Sequence, residues 1–150
     1  MNRIISKLSN FGFLLAERLH KKQRAADTLS YMNNGRRPWS RGYEYYKEDF
    51  ILSALNDENL IQHFRQNQSL PDGYGMYLDE RVVEYPWVIS RLNSEPAYLL
   101  DAGSVLNYHY IISHRILQTR KVSIITLAPE VNCFSSKGRW YPALEILPGG

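Results

Sequence analysis

Cysteine is almost missing from this chain: Cys133 is the only one among 150 residues. An intramolecular disulfide is therefore excluded, and no paired Cys or His spacing of the kind that holds zinc occurs. A reducing compartment is the simplest expectation, and with it a cytoplasmic location. Long apolar runs are also lacking. Phe11 to Ala16 is broken by Gly12 and closed by Glu17, which is too short to cross a bilayer. It also lacks the small-residue cleavage site of a secretory signal. Neither sign of charge dominates, since the net charge is only +3, although Lys and Arg crowd the first third of the chain. That asymmetry predicts a local basic surface and not a generally nucleic-acid-binding protein.

What is present suffices for one domain with a real core, at 44% hydrophobic residues. Ile4, Ile5, Leu8, Phe11, Leu15 and Leu19 fall at helical spacing, with Arg3, Lys7, Arg18, Lys21 and Lys22 on or near the other face. This predicts an amphipathic basic helix over residues 3–20. Two readings fit it: a surface helix packed on a core, or a helix lying on an anionic membrane surface. Residues 33–42 combine turn formers with Arg36, Arg37, Arg41 and Trp39, a loop whose arginines and aromatic also suit nucleic acid. Tyr43 to Phe64 predicts two short helices split near Asn56 and Asp57, with Asp57 capping the second. Pro71-Asp72-Gly73-Tyr74-Gly75 disfavours any regular element. The boundary is expected there, between a helical, basic region 1–72 and a second domain 73–150. Beyond it, Asp79 is expected to cap a helix running to Leu92, interrupted by Pro86.

The stretch Tyr98 to Asn107, Tyr-Leu-Leu-Asp-Ala-Gly-Ser-Val-Leu-Asn, carries most of the functional signal. An apolar run ending in an acid and a glycine predicts a buried strand turning sharply into a helix over 105–116. Gly103 would let the backbone approach a ligand, and an exposed helix N-terminus beyond it would offer unpaired N–H groups. Asp101 would either bind a cofactor or orient the turn. His109 and His114 on the following helix are explained as surface positions without a metal. Lys121 to Leu127 is expected to be a second buried strand, parallel to the first.

These segments resemble the class I S-adenosylmethionine-dependent methyltransferases, whose first strand ends in an acid followed by a glycine-rich turn. The resemblance is closest to a bacterial subgroup with Arg-Val-Val-Glu-Tyr-Pro-Trp before that strand and Thr-Leu-Ala-Pro-Glu after the next. Here these are Arg81 to Trp87 and Thr126 to Glu130. Only Gly103 remains where the common motif has two or three glycines. The resemblance implies an α/β fold: a partial, Rossmann-like methyltransferase domain with its first strands only, preceded by the helical region. It implies S-adenosylmethionine as cofactor, held by Asp101, Gly103, Ser104 and Glu130, with Glu84, Tyr85 and Trp87 beside the pocket. Glu130 stands three residues beyond the strand end, where the family carries its ribose-binding acid at the end itself.

The resemblance stops at Arg139, so a truncated or interrupted reading frame, weakly active or inactive alone, is the expectation. The methyl acceptor and any general base are not legible. Two other functions compete. One is a non-catalytic nucleotide-binding or scaffold remnant acting through a partner; the other is a basic membrane-surface or RNA-contacting protein driven by residues 1–47.

Overall fold

The computed structural model describes residues 2–93, 95, 97–103, 105–126 and 144–148, with the backbone alone at 2–13, 126 and 144–148. The elements are α1 (Asn2–Asn33), α2 (Tyr43–Asn56), α3 (Glu58–Arg65), α4 (Arg81–Arg91), β1 (Tyr98–Ala102), α5 (His109–Ile112), α6 (Arg115–Gln118), β2 (Lys121–Thr126) and β3 (Leu144–Pro148). It is a mixed α/β architecture in which helices precede a small parallel sheet of order β1-β2-β3. Tyr98 pairs with Lys121 and Ala102 with Ile125 in one ladder, and Val122 with Leu144 in the other. The tail from Arg139, where no element was expected, thus supplies a third strand.

The chain forms two compact units that interleave: residues 1–53 with 73–82, and residues 54–72 with 83–150. The composition break at Asp72/Gly73 is one of the crossings. The other two fall inside α2 and α4, where a continuous helix leaves no compositional mark.

In the first unit α1 runs well past residue 20, because Lys21 to Ala26 contains only good helix formers. Within the described part of the apolar stripe, Leu15 and Leu19 are exposed, as is Leu14 beside them. The core instead gathers Tyr31, Tyr43 and Ile51. Gly42, at φ +88, brings the chain so close to α1 that a Cβ would lie 2.0 Å from the Asp27 carbonyl oxygen. Lys47 is buried with Asp79 at 2.9 Å and Glu44 at 2.8 Å, and its ammonium also lies over the rings of Tyr43 and Trp39. In the arginine-rich loop, Arg41 pairs with Asp27 at 2.8 Å and Arg36 lies over the Tyr46 ring.

In the second unit, α2 and α3 are split at Asp57, where the sequence indicates. Asp57 caps α3 through bonds from the Asn59 and Leu60 amides, at 3.0 and 3.1 Å. α4 is likewise opened by Asp79, whose carboxylate accepts from the Arg81 amide at 3.2 Å. The sheet core is Ile112, Val122 and Ile124, with Leu99 against it. The two strands were expected to be buried on both faces, but β1 is not: Tyr98 is 84% and Leu100 59% exposed. Alternation along the strand sends Leu99 and Asp101 inward and these two residues outward. Among the described residues nothing covers that outer face of β1.

Candidate functional site

The turn after β1 is built by Asp101. Its carboxylate, 6% exposed, accepts from the Val105 amide at 3.0 Å through one oxygen and from the Leu106 amide at 2.8 Å through the other. Bonds of this charge-assisted kind are each worth about 1.5–3 kcal/mol, so they decide the path of the chain here. Gly103, at φ +117, makes the reversal. Its N–H donates to the Ile125 carbonyl of β2 at 2.8 Å, extending the ladder past the strand end. A Cβ at Gly103 would meet nothing within 4 Å; the constraint is conformational and not one of crowding.

Of the expected pocket neighbours, Tyr85 is brought to this turn. It is buried, and its hydroxyl donates to the Val105 carbonyl at 3.0 Å. Tyr108 and Tyr110 complete a ring cluster around it, with centroids 5.7–6.4 Å apart. Trp87, two residues along α4, points elsewhere: it is about half exposed, beneath the Arg91 guanidinium at 5.2 Å. Glu84 is half-buried on the same helix. Ser104, Leu127, Glu130 and Cys133 lie outside the described residues.

Two expectations about the turn need correction. The segment 105–116 is not one helix: α5 and α6 are single turns, separated where His114 adopts extended backbone at ψ 136. The amides of Val105 and Leu106 are also not left open for a ligand, because Asp101 takes both. Of the two roles considered for Asp101, its carboxylate performs the turn-orienting one. Asn107 carries no signal in the sequence. This side chain is buried at the end of the turn, and its Oδ1 has no partner among the described residues.

The opposite, amino ends of the strands carry a second feature, a cavity of about 730 Å³. α3 and α4 meet there through a reciprocal clasp. Arg65, the last residue of α3, donates through Nε to the Ser90 carbonyl at 3.1 Å. Arg91, the last of α4, donates to the Phe64 and Arg65 carbonyls at 3.1 and 3.2 Å. Each arginine thereby donates to carbonyls at the C-terminus of the other helix. His114 also lines this cavity. Burial holds its imidazole below the ordinary histidine range, and Nδ1 accepts from the Ile116 amide at 3.4 Å. Behind the wall, buried Arg120 donates to both oxygens of Asn93. Single basic residues at helix ends gave no sequence signal for this grouping.

Among the described residues, no group of three or more His, Cys, Asp or Glu side chains is placed to hold a metal ion, and no helix is long and apolar enough to cross a membrane. Comparison of the chain with protein-family models, with curated proteins and with solved structures gives no match.

Proposed function

We propose that the second unit binds S-adenosylmethionine at the carboxyl ends of its strands, as the cofactor-holding part of a Rossmann-like, class I methyltransferase. The observation that carries this reading is the turn itself. A parallel strand ends in a buried acid that fixes the following backbone around a glycine at φ +117. Ligands of open α/β sheets sit outside the carboxyl ends of the strands, and neighbours in the order 3-2-1 form one half of a doubly wound sheet. The order β1-β2-β3 is compatible with that half.

The residues present fit such a cofactor in part. Gly103 leaves open space where a side chain would stand, and Asn107 Oδ1, which has no partner among the described residues, offers an acceptor to the cofactor's ammonium group. Asp101 acts by holding the turn, and Tyr85 by bracing it from α4. The cofactor, when bound, supplies an electrophilic methyl group, and the protein's task is to align it with an acceptor. Calorimetric titration of the chain with S-adenosylmethionine tests the reading. Saturable binding that Gly103→Val abolishes and Asn107→Ala weakens is expected. No binding, or equal binding by wild type and Gly103→Val, overturns it.

The exposed Leu14, Leu15 and Leu19, beside Arg18, Lys21 and Lys22 on α1, favour a second and separate reading for the first unit: association with an anionic membrane surface. Sedimentation with phosphatidylserine vesicles, but not with phosphatidylcholine vesicles, is expected. Leu15→Glu/Leu19→Glu should release the protein, and equal sedimentation of this variant overturns the reading.

A further inference from the structure

The cavity at the amino ends of β1 and β2 has a wall of unusual charge. Its floor is apolar, with Leu55, Ile61 and Ile89. Three arginines line it, Arg65, Arg91 and Arg115, against one acid, Glu58, which is already paired with Arg115. The helix C-termini clasped by Arg65 and Arg91 offset these charges only in part, since a helix end carries about half an elementary charge.

Two unclaimed donors accompany this charge. Arg65 uses Nε on the Ser90 carbonyl, and among the described residues its terminal amino groups have no acceptor. Asn93 has its Oδ1 taken by Arg120 and by the Glu95 amide, while its Nδ2 amide has no acceptor among the described residues. Ser90 and Thr119 spend their hydroxyl protons on the Trp87 and Ile116 carbonyls. Their oxygens face the cavity as acceptors, so the wall's unclaimed donors are those of Arg65 and Asn93, set with a net positive charge over an apolar floor.

Arg120 strengthens the point. It is only 5% exposed, and among the described residues its Nε has no partner and its acceptors are the two neutral oxygens of Asn93. Buried charges are ordinarily paired. Here, among the described residues, the positive charge behind the cavity has no carboxylate to balance it.

We propose that this cavity binds a small amphipathic anion, a carboxylate on a hydrocarbon body. The carboxylate lies toward Arg65 and the Asn93 amide, and the hydrocarbon lies on Leu55, Ile61 and Ile89. The volume falls within the range of pockets that enclose a molecule of this size, about 300–1,000 Å³. The site lies at the strand ends opposite the Gly103 turn and does not depend on the cofactor reading.

The test is an amide-resolved NMR titration of the full chain with sodium octanoate and, separately, with octylammonium chloride, which keeps the tail and reverses the charge. Octanoate is expected to shift the Asn93 side-chain amide and the Leu55 and Ile116 backbone amides saturably. Octylammonium should bind at least about ten-fold more weakly. Arg65→Gln should weaken octanoate by about ten-fold and Arg65→Lys by less. Added salt should weaken octanoate binding to wild type, which keeps the proposal testable if Arg65→Gln does not fold. Equal binding of the two tails, octanoate shifts centred on Val105 and Leu106, or no shift at millimolar octanoate each overturns the proposal.

Discussion

The hydroxyl of Tyr74 donates to the carbonyl of Val82 at 2.7 Å. Val82 stands four residues before Pro86 in α4, and proline has no N–H to return to that carbonyl. Tyr74 thus fills the gap that Pro86 opens in the helix ladder, with Gly75 at φ +68 setting the approach of its segment.

Tyr74→Phe is therefore expected to destabilise the protein by about 1–3 kcal/mol, the cost of an unsatisfied buried group. The same change in a Pro86→Ala background should cost less, because an alanine there has an N–H to donate to the Val82 carbonyl. Urea melts of the four proteins in this cycle check the coupling. Equal costs in both backgrounds would mean that the hydroxyl does not substitute for the missing amide.

Gly42 and Gly35 provide a matched pair. Both have φ near +80, at +88 and +78, but a Cβ meets the Asp27 backbone only at Gly42. Gly35→Ala should cost about 1–2 kcal/mol from left-handed backbone strain, and Gly42→Ala clearly more. Thermal melting of the two variants measures the difference, which is the crowding contribution alone.

Alkaline pH should weaken the first unit. Burial, then Asp79, pushes the Tyr43 hydroxyl up to about 12. Burial alone would lower Lys47, but Asp79 and Glu44 outweigh it and the group is raised. Both groups have folded values above their unfolded ones. Their contribution is present in full below about pH 10 and is lost as pH rises through the folded values. A stability profile that falls from about pH 10 upward, and less steeply in Tyr43→Phe, is expected. A flat profile to about pH 12 would contradict this.

Asp101→Asn should expose one of the Val105 and Leu106 amides to exchange while the other stays protected, since an amide side chain has one acceptor oxygen. Asp101→Ala should free both and cost more, about 3 kcal/mol or above for two charge-assisted bonds. Hydrogen exchange read at these two amides decides it. Unchanged protection in Asp101→Ala would remove Asp101 as the organiser of the turn.

How far the sequence reading reached depended on local chemistry. Asp57 before an apolar helical pattern marks the start of α3 because a cap is a local interaction, and the same holds for Asp79 before α4. The parallel pairing of β1 and β2 was legible from two apolar runs joined by a connection long enough for a crossover. Tyr108, Tyr110, Ile111, Ile112 and Ile116 carry helical spacing, yet the pattern does not distinguish one helix from two single turns broken at His114. At the candidate site, Asp101 and Gly103 were visible as an acid and a glycine at a strand end. The Asn107 acceptor and the Arg65–Arg91 clasp were not, because each depends on partners about 20 or more residues away or on the lack of one.

The interleaving of the two units also sets an order of events during synthesis. Residues 1–53 cannot complete their unit when they leave the ribosome, because Asp79, the partner of Lys47, and Tyr77, whose carbonyl receives the Tyr31 hydroxyl, have yet to be translated. Residues 54–72 emerge in between and wait longer still, since Ser90, which receives Arg65, and the Tyr98–Ala102 strand belong to later codons. A chain that has emerged from the ribosome only as far as residue 72 has both units unfinished together, whereas emergence of residue 82 lets the first one close.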